Sequence, residues 1–169
     1  ARSSLDATPL STPRRISALR RAGRGPSPPP QRRPQIAVAC LFNVYGPGQT
    51  GPYAGVITRF LERARAGLPP IIFGSGEQTR DFVHVSDVAR FIAVLLEREA
   101  EGVYNVGTGR TVSVRELAYM VMRLAGIGGE PIYVGPRPGD IKNSVADIRR
   151  ARGLGWEPGT ALEEGLAQL

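Results

Sequence analysis

The sequence predicts an α/β fold with an incomplete parallel sheet, and three observations carry that reading. From about residue 36 onward, short apolar runs alternate with segments of helical periodicity. The run Ile36-Ala-Val-Ala-Cys-Leu-Phe42 is continuously apolar, as suits a strand buried on both faces of a parallel sheet. Only that run and Val103-Tyr-Asn-Val106 are long enough to join such a sheet, whereas a doubly wound domain has about five or six strands.

The elements follow in order. Tyr45-Gly-Pro-Gly48 ends the first strand with turn residues. Between about Tyr53 and Ala66, Val56, Ile57, Phe60, Leu61 and Ala64 share one helical face, and Gly67 with Pro69-Pro70 stops the helix. Ile71-Ile-Phe73 and Asp81-Phe-Val-His-Val85 read as short strands separated by a glycine-containing loop. Ser86 is placed to cap a helix running to about Glu99, with Val88, Phe91, Ile92 and Leu95 inward. After the strand 103–106 and a Gly107-Thr-Gly109 turn, Ser113 and Glu116 form a capping box for a helix to about Ala125. Ile132-Tyr-Val134 is a further short strand, and Thr160 with Glu163 is a second capping-box pattern for a terminal helix.

Charge separates the chain into two parts. The net charge is +7, and residues 1–35 carry all of it, with eight Arg against Asp6 alone. Residues 36–169 are neutral, so the basic character belongs to the first segment and not to the domain. Residues 1–35 also hold seven of the fifteen prolines and no aromatic residue, and are expected to be disordered. Without aromatic residues for base stacking, that segment is not read as binding nucleic acid. Cys40, the single cysteine, excludes a disulfide and reads as a buried, inert thiol. No apolar stretch approaches the ~20 residues that span a bilayer, so neither a membrane partner nor a secretory signal is expected and a cytoplasmic location is. One His and one Cys cannot form a metal centre.

Three segments carry a family likeness, and together they cover nearly all of 36–169. They are Leu41-Phe-Asn-Val-Tyr-Gly-Pro-Gly-Gln49, the run from Phe73 to Val88 that includes Gly-Glu-Gln-Thr-Arg-Asp-Phe-Val-His-Val, and Arg137-Pro-Gly-Asp140 followed by Ala146-Asp147 and Gly155-Trp156. In this order they resemble the C-terminal part of the NAD-dependent epimerase/dehydratase family, the extended short-chain dehydrogenase/reductases, and within it the UDP-glucose and UDP-N-acetylglucosamine 4-epimerases. The resemblance implies a Rossmann-like scaffold of which residues 36–169 are mainly the substrate-binding subdomain. It also implies a nucleotide-sugar ligand, most simply a UDP-sugar, NAD as cofactor, and full-length relatives that are homodimers.

The resemblance assigns roles residue by residue. Arg80 and Arg137 fall on the diphosphate, whose charges call for guanidinium donors. Asp140 falls on a ribose hydroxyl or against Arg137, and is equally a turn former. Asn43 matches a residue that touches the substrate, and Phe42 one that lies near the nicotinamide. Val56, Ile71 and Phe73 match positions around the uridine, although apolar residues suit a core equally. His84, Asp81 and Asp87 read as structural rather than catalytic.

What the sequence lacks is equally specific. The family's Tyr-x-x-x-Lys supplies the base and the lysine that lowers its pKa. Lys142 is the only lysine, and none of the five tyrosines has a lysine four residues on. Gly74-Ser-Gly76 and Gly107-Thr-Gly109 lack the third glycine of a dinucleotide fingerprint. The expectation is a chain that is truncated relative to the family and inactive alone, either a piece of an epimerase, dehydratase or decarboxylase or a non-catalytic nucleotide-sugar-binding remnant. Thr8-Pro9-Leu10 matches a segment that precedes the Tyr-x-x-x-Lys region in relatives, and thirty residues separate Leu10 from Leu41, about the family length. Arginine and proline fill that interval. A shifted reading frame or a misassembled gene would leave such a composition, which sequencing the locus tests.

Overall fold

The alternation of strand and helix signals is realised in the computed structural model, which describes residues 35–49 and 55–169. The 1–35 segment, apart from Gln35, and Tyr53 lie outside the described residues. Strand β1 (Ala37–Leu41) pairs in parallel with β6 (Gly102–Val106), in register from Ala37↔Gly102 to Leu41↔Val106. These are the two long strands expected from the sequence, and they pair only with each other among the described residues. Three smaller pairs complete the strand inventory there. β2 (Asn43–Tyr45) lies parallel to β5 (Phe82–His84), and β3 (Ile71–Phe73) parallel to β8 (Ile132–Val134). β4 (Thr79–Arg80) is antiparallel to β7 (Val112–Ser113). The 81–85 strand expected from sequence is the shorter β5, preceded across Asp81 by β4 and ended where α2 begins at Val85.

The helices are α1 (Val56–Arg65), α2 (Val85–Glu97), α3 (Val114–Leu124), α4 (Arg149–Gly153) and α5 (Leu162–Ala167). The capping box of α3 is formed: Ser113 Oγ accepts from Glu116 N while Glu116 Oε2 accepts from Ser113 N. Two other caps differ from expectation. His84, not Ser86, caps α2, because its Nδ1 accepts from Ser86 N at 3.3 Å. At α5 the cap position is Ala161 with no side-chain bond. Thr160 instead faces Ser86, and Glu163 pairs with Arg123.

Two apolar clusters form the core. One gathers Ile57 and Phe60 of α1, Ile72 of β3, Leu117 and Val121 of α3, and Leu166 of α5, together with Tyr45 and Phe82. The other packs Val88, Phe91 and Leu95 of α2 against Tyr104, Val106, Ala151 and Trp156, together with Val83. Successive side chains on a strand point to opposite faces, so β5 sends Phe82 into one cluster and Val83 into the other. This central strand is fully buried.

The first strand departs from its expected burial on both faces. Ile36 is 67% exposed, and Val38, Leu41 and Cys40 are also exposed. The thiol expected to be buried is on the surface because the period-two alternation turns Ala37 and Ala39 toward α2 and Val38 and Cys40 away from it. Ile92, expected inward on α2, is 47% exposed.

Asp87 fastens the start of α2 to the chain 70 residues later. It is fully buried and accepts from Arg90, from Gly159 N at 3.1 Å and from Thr160 N at 3.0 Å. Its carbonyl accepts from Trp156 Nε1 at 3.1 Å. Burial pushes its carboxyl pKa up, but the hydrogen bonds from Arg90, Thr160 and Gly159 outweigh burial and hold it below the ordinary value. A depressed carboxylate contributes stability that is present above its unfolded pKa of about 3.9 and is lost as pH falls through its folded value. Asp87→Asn is expected to destabilise the protein at neutral pH by about 2–4 kcal/mol. It should also flatten the decline of stability on acidification below about pH 4. Urea unfolding of both proteins across pH checks both effects.

Candidate functional site

A buried carboxylate organises the region where the predicted site residues lie. Asp81, completely buried, accepts from Thr108 N at 2.7 Å and Thr108 Oγ1 at 2.6 Å through Oδ1. Its Oδ2 accepts from Gly109 N at 2.9 Å and Ala146 N at 3.0 Å. Its main-chain carbonyl takes both nitrogens of Asn43, the amide at 3.2 Å and Nδ2 at 2.9 Å. Asp81 was expected to be a local structural acid. It is structural, but its partners lie as far as 65 residues away.

The same contacts decide what the Gly107-Thr-Gly109 loop can hold. A Cβ on Gly107 would stand 2.5 Å from Ala146 Cβ and 2.8 Å from Asp81 Oδ2, so the glycine exists to admit the carboxylate. The N–H groups of Thr108 and Gly109, which in a dinucleotide loop would face a pyrophosphate, are spent on Asp81. This loop therefore does not fit a dinucleotide pyrophosphate. Phe42, the one position matched to the nicotinamide, is half-buried at the C-terminal end of β1, its amide donating to Val106 O at 3.0 Å.

Arg80 leaves Asp81 in the other direction. Its guanidinium donates to the carbonyls of Thr79 at 2.8 Å and Ile141 at 2.6 Å, and to Asp140 Oδ1 at 2.5 Å. The Arg80 and Asp140 side chains are 16% and 34% exposed. The partner of Asp140 is thus Arg80, and not Arg137 as one sequence reading had it. Arg137 instead lies over Phe73, its Cζ 3.7 Å from the ring centroid, a cation–π contact. Arg137-Pro-Gly-Asp140 is a turn with Gly139 at φ +78° and Asp140 N donating to Arg137 O at 3.3 Å. Proline second and a positive-φ glycine third is the type II pattern.

Strand register brings these groups together. β3 and β8 run side by side, and the following stretches stay in contact. Thr79 N donates to Lys142 O at 2.8 Å, Ser144 N to Thr79 O at 3.2 Å, and Thr79 Oγ1 to Asn143 Oδ1 at 3.0 Å. Gln78 Nε2 closes the intervening loop on Phe73 O at 2.9 Å. Ile71 and Phe73 share the face of β3 opposite the buried Ile72, and both are half-buried. Asn43 and Val56 line a small cavity of about 40 Å³ with Tyr45, Ile57 and Phe82. The predicted residues thus form three groups: Phe73 with Arg137 and Ile71 on its face, Arg80 with Asp140, and Asn43 with Val56. Asp81 joins the last two through its neighbour Arg80 and its carbonyl to Asn43. Sequence reasoning missed Thr79, Gln78, Asn143 and the Ile141 carbonyl, which hold the two stretches together. A main-chain carbonyl has no sequence signature.

A larger cleft of about 430 Å³ lies between the 108–112 turn and residues 157–162 and contains none of the predicted site residues. Much of its polar lining is already engaged: Thr108 with Asp81, the Gly159 and Thr160 amides with Asp87, and Arg152 with Glu157 at 2.9 Å. His84 is buried; its Nδ1 accepts from Ser86 N as the cap of α2 and also lies 2.7 Å from Ser86 Oγ. Its Nε2 and the hydroxyl of the adjacent Tyr45 are buried without a hydrogen-bond partner among the described residues. Among those residues there is no cluster of three metal-ligating side chains and no helix long and apolar enough to cross a membrane.

Asp81→Asn replaces an acceptor of four hydrogen bonds by a group that must turn an NH2 toward donors. The expected cost is about 3–5 kcal/mol. Denaturant unfolding, with amide exchange at Thr108, Gly109 and Ala146, checks it; unchanged protection there would contradict the role.

Comparison with known proteins places this geometry. The sequence model of the NAD dependent epimerase/dehydratase family matches residues 31–107. The chain is 43% identical over 130 residues to the UDP-glucose 4-epimerase of Mycolicibacterium smegmatis, covering 75% of this chain and 41% of that protein. It is 35% identical over 133 residues to UDP-glucuronic acid decarboxylase 1 of Xenopus tropicalis, covering 78% and 32%. The crystal structure of UDP-glucose 4-epimerase with UDP-glucose from Thermotoga maritima superposes with a TM-score of 0.72 at 43% identity, over 78% of this chain and 43% of that one. The chain thus spans less than half the length of these relatives. The sequence motifs, the family model over residues 31–107 and the α/β architecture agree: this chain is similar to part of the NAD dependent epimerase/dehydratase proteins.

Proposed function

We propose that residues 36–169 are the sugar-nucleotide-binding C-terminal part of a UDP-sugar 4-epimerase-type enzyme. The observation that carries this reading is the 137–140 turn, which holds Arg137 on the ring of Phe73 at one end and Asp140 on Arg80 at the other. Two guanidiniums suit a diphosphate, and the aromatic and aliphatic face of Phe73 and Ile71, with Val56, suits a planar base. Asn43 spends Nδ2 on Asp81 and keeps its carboxamide oxygen for a sugar hydroxyl. Asp140 meets the ribose and Phe42 the nicotinamide. The similar Thermotoga maritima enzyme was crystallised with UDP-glucose, which supports this ligand class.

The full reaction would oxidise a sugar hydroxyl by hydride transfer to NAD and return the hydride to the other face of the keto-sugar. This chain supplies neither the Tyr-x-x-x-Lys base pair nor, among its described residues, a dinucleotide loop. We therefore assign it binding without turnover. A decarboxylase or dehydratase of the same scaffold is the second reading, favoured by the 35% identity to the UDP-glucuronic acid decarboxylase.

Calorimetric titration of the purified chain with UDP tests the binding. Arg80→Ala or Arg137→Ala should each weaken it about tenfold or more, as expected for a lost charge-assisted contact to phosphate. A folded chain that does not bind UDP, or variants that bind it equally well, would overturn the assignment. With NAD and UDP-glucose the chain alone should give no UDP-galactose; measurable turnover would contradict binding without catalysis.

A further inference from the structure

Every donor edge that Arg80 directs to a partner is taken up within the protein, by Thr79 O, Ile141 O and Asp140. The carboxylate stands where an anion bound by Arg80 would stand, because both need the outer N–H groups of one planar guanidinium. Asp140 is carried on a segment, 137–142, that is exposed throughout. Side-chain and main-chain bonds to Thr79 and Arg80 tie that segment and the Asn143-Ser144 pair after it down. Two of the bonds come from the one guanidinium, through Asp140 and Ile141 O. Arg137 at the start of the segment is held separately, on Phe73.

From this we propose that Asp140 is an internal anion that occupies Arg80, so that a diphosphate and Asp140 compete for the same guanidinium and binding releases the 137–142 segment from β4. The proposal rests on the nucleotide-sugar reading for the identity of the anion. It adds that the site is closed on itself before the ligand arrives, and that Asp140 opposes the phosphates while serving the nucleoside. Exchange of a carboxylate for a phosphate on an arginine leaves the number of charge-assisted bonds unchanged. Discrimination among anions then comes from the second guanidinium, Arg137, which lies over Phe73 and has no acidic partner among the described residues.

The test uses the full chain with two probes, inorganic pyrophosphate and UDP, and the variants Asp140→Asn and Asp140→Ser. Calorimetry should show pyrophosphate binding about tenfold more tightly to both variants than to the wild type, because the competing charge has gone. UDP should gain less, since the nucleoside loses its acceptor. A second readout uses Lys142, the only lysine in the chain. A lysine-specific protease therefore cuts once, inside the tied stretch, where Lys142 O accepts from Thr79 N. Cleavage should be faster in both variants, and pyrophosphate should accelerate it in the wild type but not in the variants. Near-ultraviolet circular dichroism confirms that the variants keep the native packing.

Equal pyrophosphate affinity in wild type and variants would overturn the exchange, as would cleavage at Lys142 unaffected by the substitutions. If UDP still binds the wild type in that case, the nucleotide-sugar reading stands and only the competition falls. If tightened pyrophosphate binding appears while UDP binds neither protein, the competition stands and the nucleotide-sugar reading falls.

Discussion

The buried carboxylate of Asp81 is the constraint on which the rest of the structure depends. A charge in a protein interior must be met by donors from wherever the chain can supply them. Here they come from the turn after β6 and from the stretch that follows the 137–143 segment. The residue also sits at the break between β4 and β5. One side of it leads to Arg80, the other to the strand whose Phe82 and Val83 divide between the two core clusters. The division of the core and the placement of Arg80 and Asn43 thus meet at one position. Asp87 plays the parallel part six residues later, tying α2 to the turn before α5.

The candidate site inherits its geometry from this arrangement. Arg80 is positioned by its neighbour Asp81 and held by Asp140, whereas Arg137 is positioned by a type II turn and by the face of Phe73. The two cations differ in electrostatic state although the sequence presents them alike: one is neutralised by an acid, the other leans on a π-system. Their separation along the chain is spanned by the parallel pairing of β3 with β8 and its continuation through Thr79 and Asn143.

A second property is surface character. β1 and β6 make a two-stranded parallel pair, and Ile36, Val38, Leu41 and Val103 are exposed on it, with Ile92 and Leu96 exposed on α2. Two strands are few for a parallel sheet, which ordinarily is covered on both faces. The relatives extend over more than twice the matched length.

Much of this protein is legible in its sequence because the signals are local. Apolar periodicity gives the strands Ala37–Leu41 and Gly102–Val106 and the inward face of α1. The Ser113–Glu116 capping box and the Pro-Gly turn at 138–139 are short-range chemistry that needs no partner to be read. The motifs around Arg80 and Arg137 carry the family resemblance. Tertiary structure alone decided what depends on distant partners. Cys40 is exposed although its run is apolar, because exposure is set by what lies across the sheet and not by the run itself. Thr160, read in sequence as a cap of the terminal helix, faces Ser86 from 74 positions away. The partner of Asp140, the spending of the Gly107-Thr-Gly109 amides on Asp81 and the carbonyl of Ile141 on Arg80 are contacts between residues 27 to 61 positions apart. Residue type fixes which groups must be satisfied, and only the folded backbone fixes by whom.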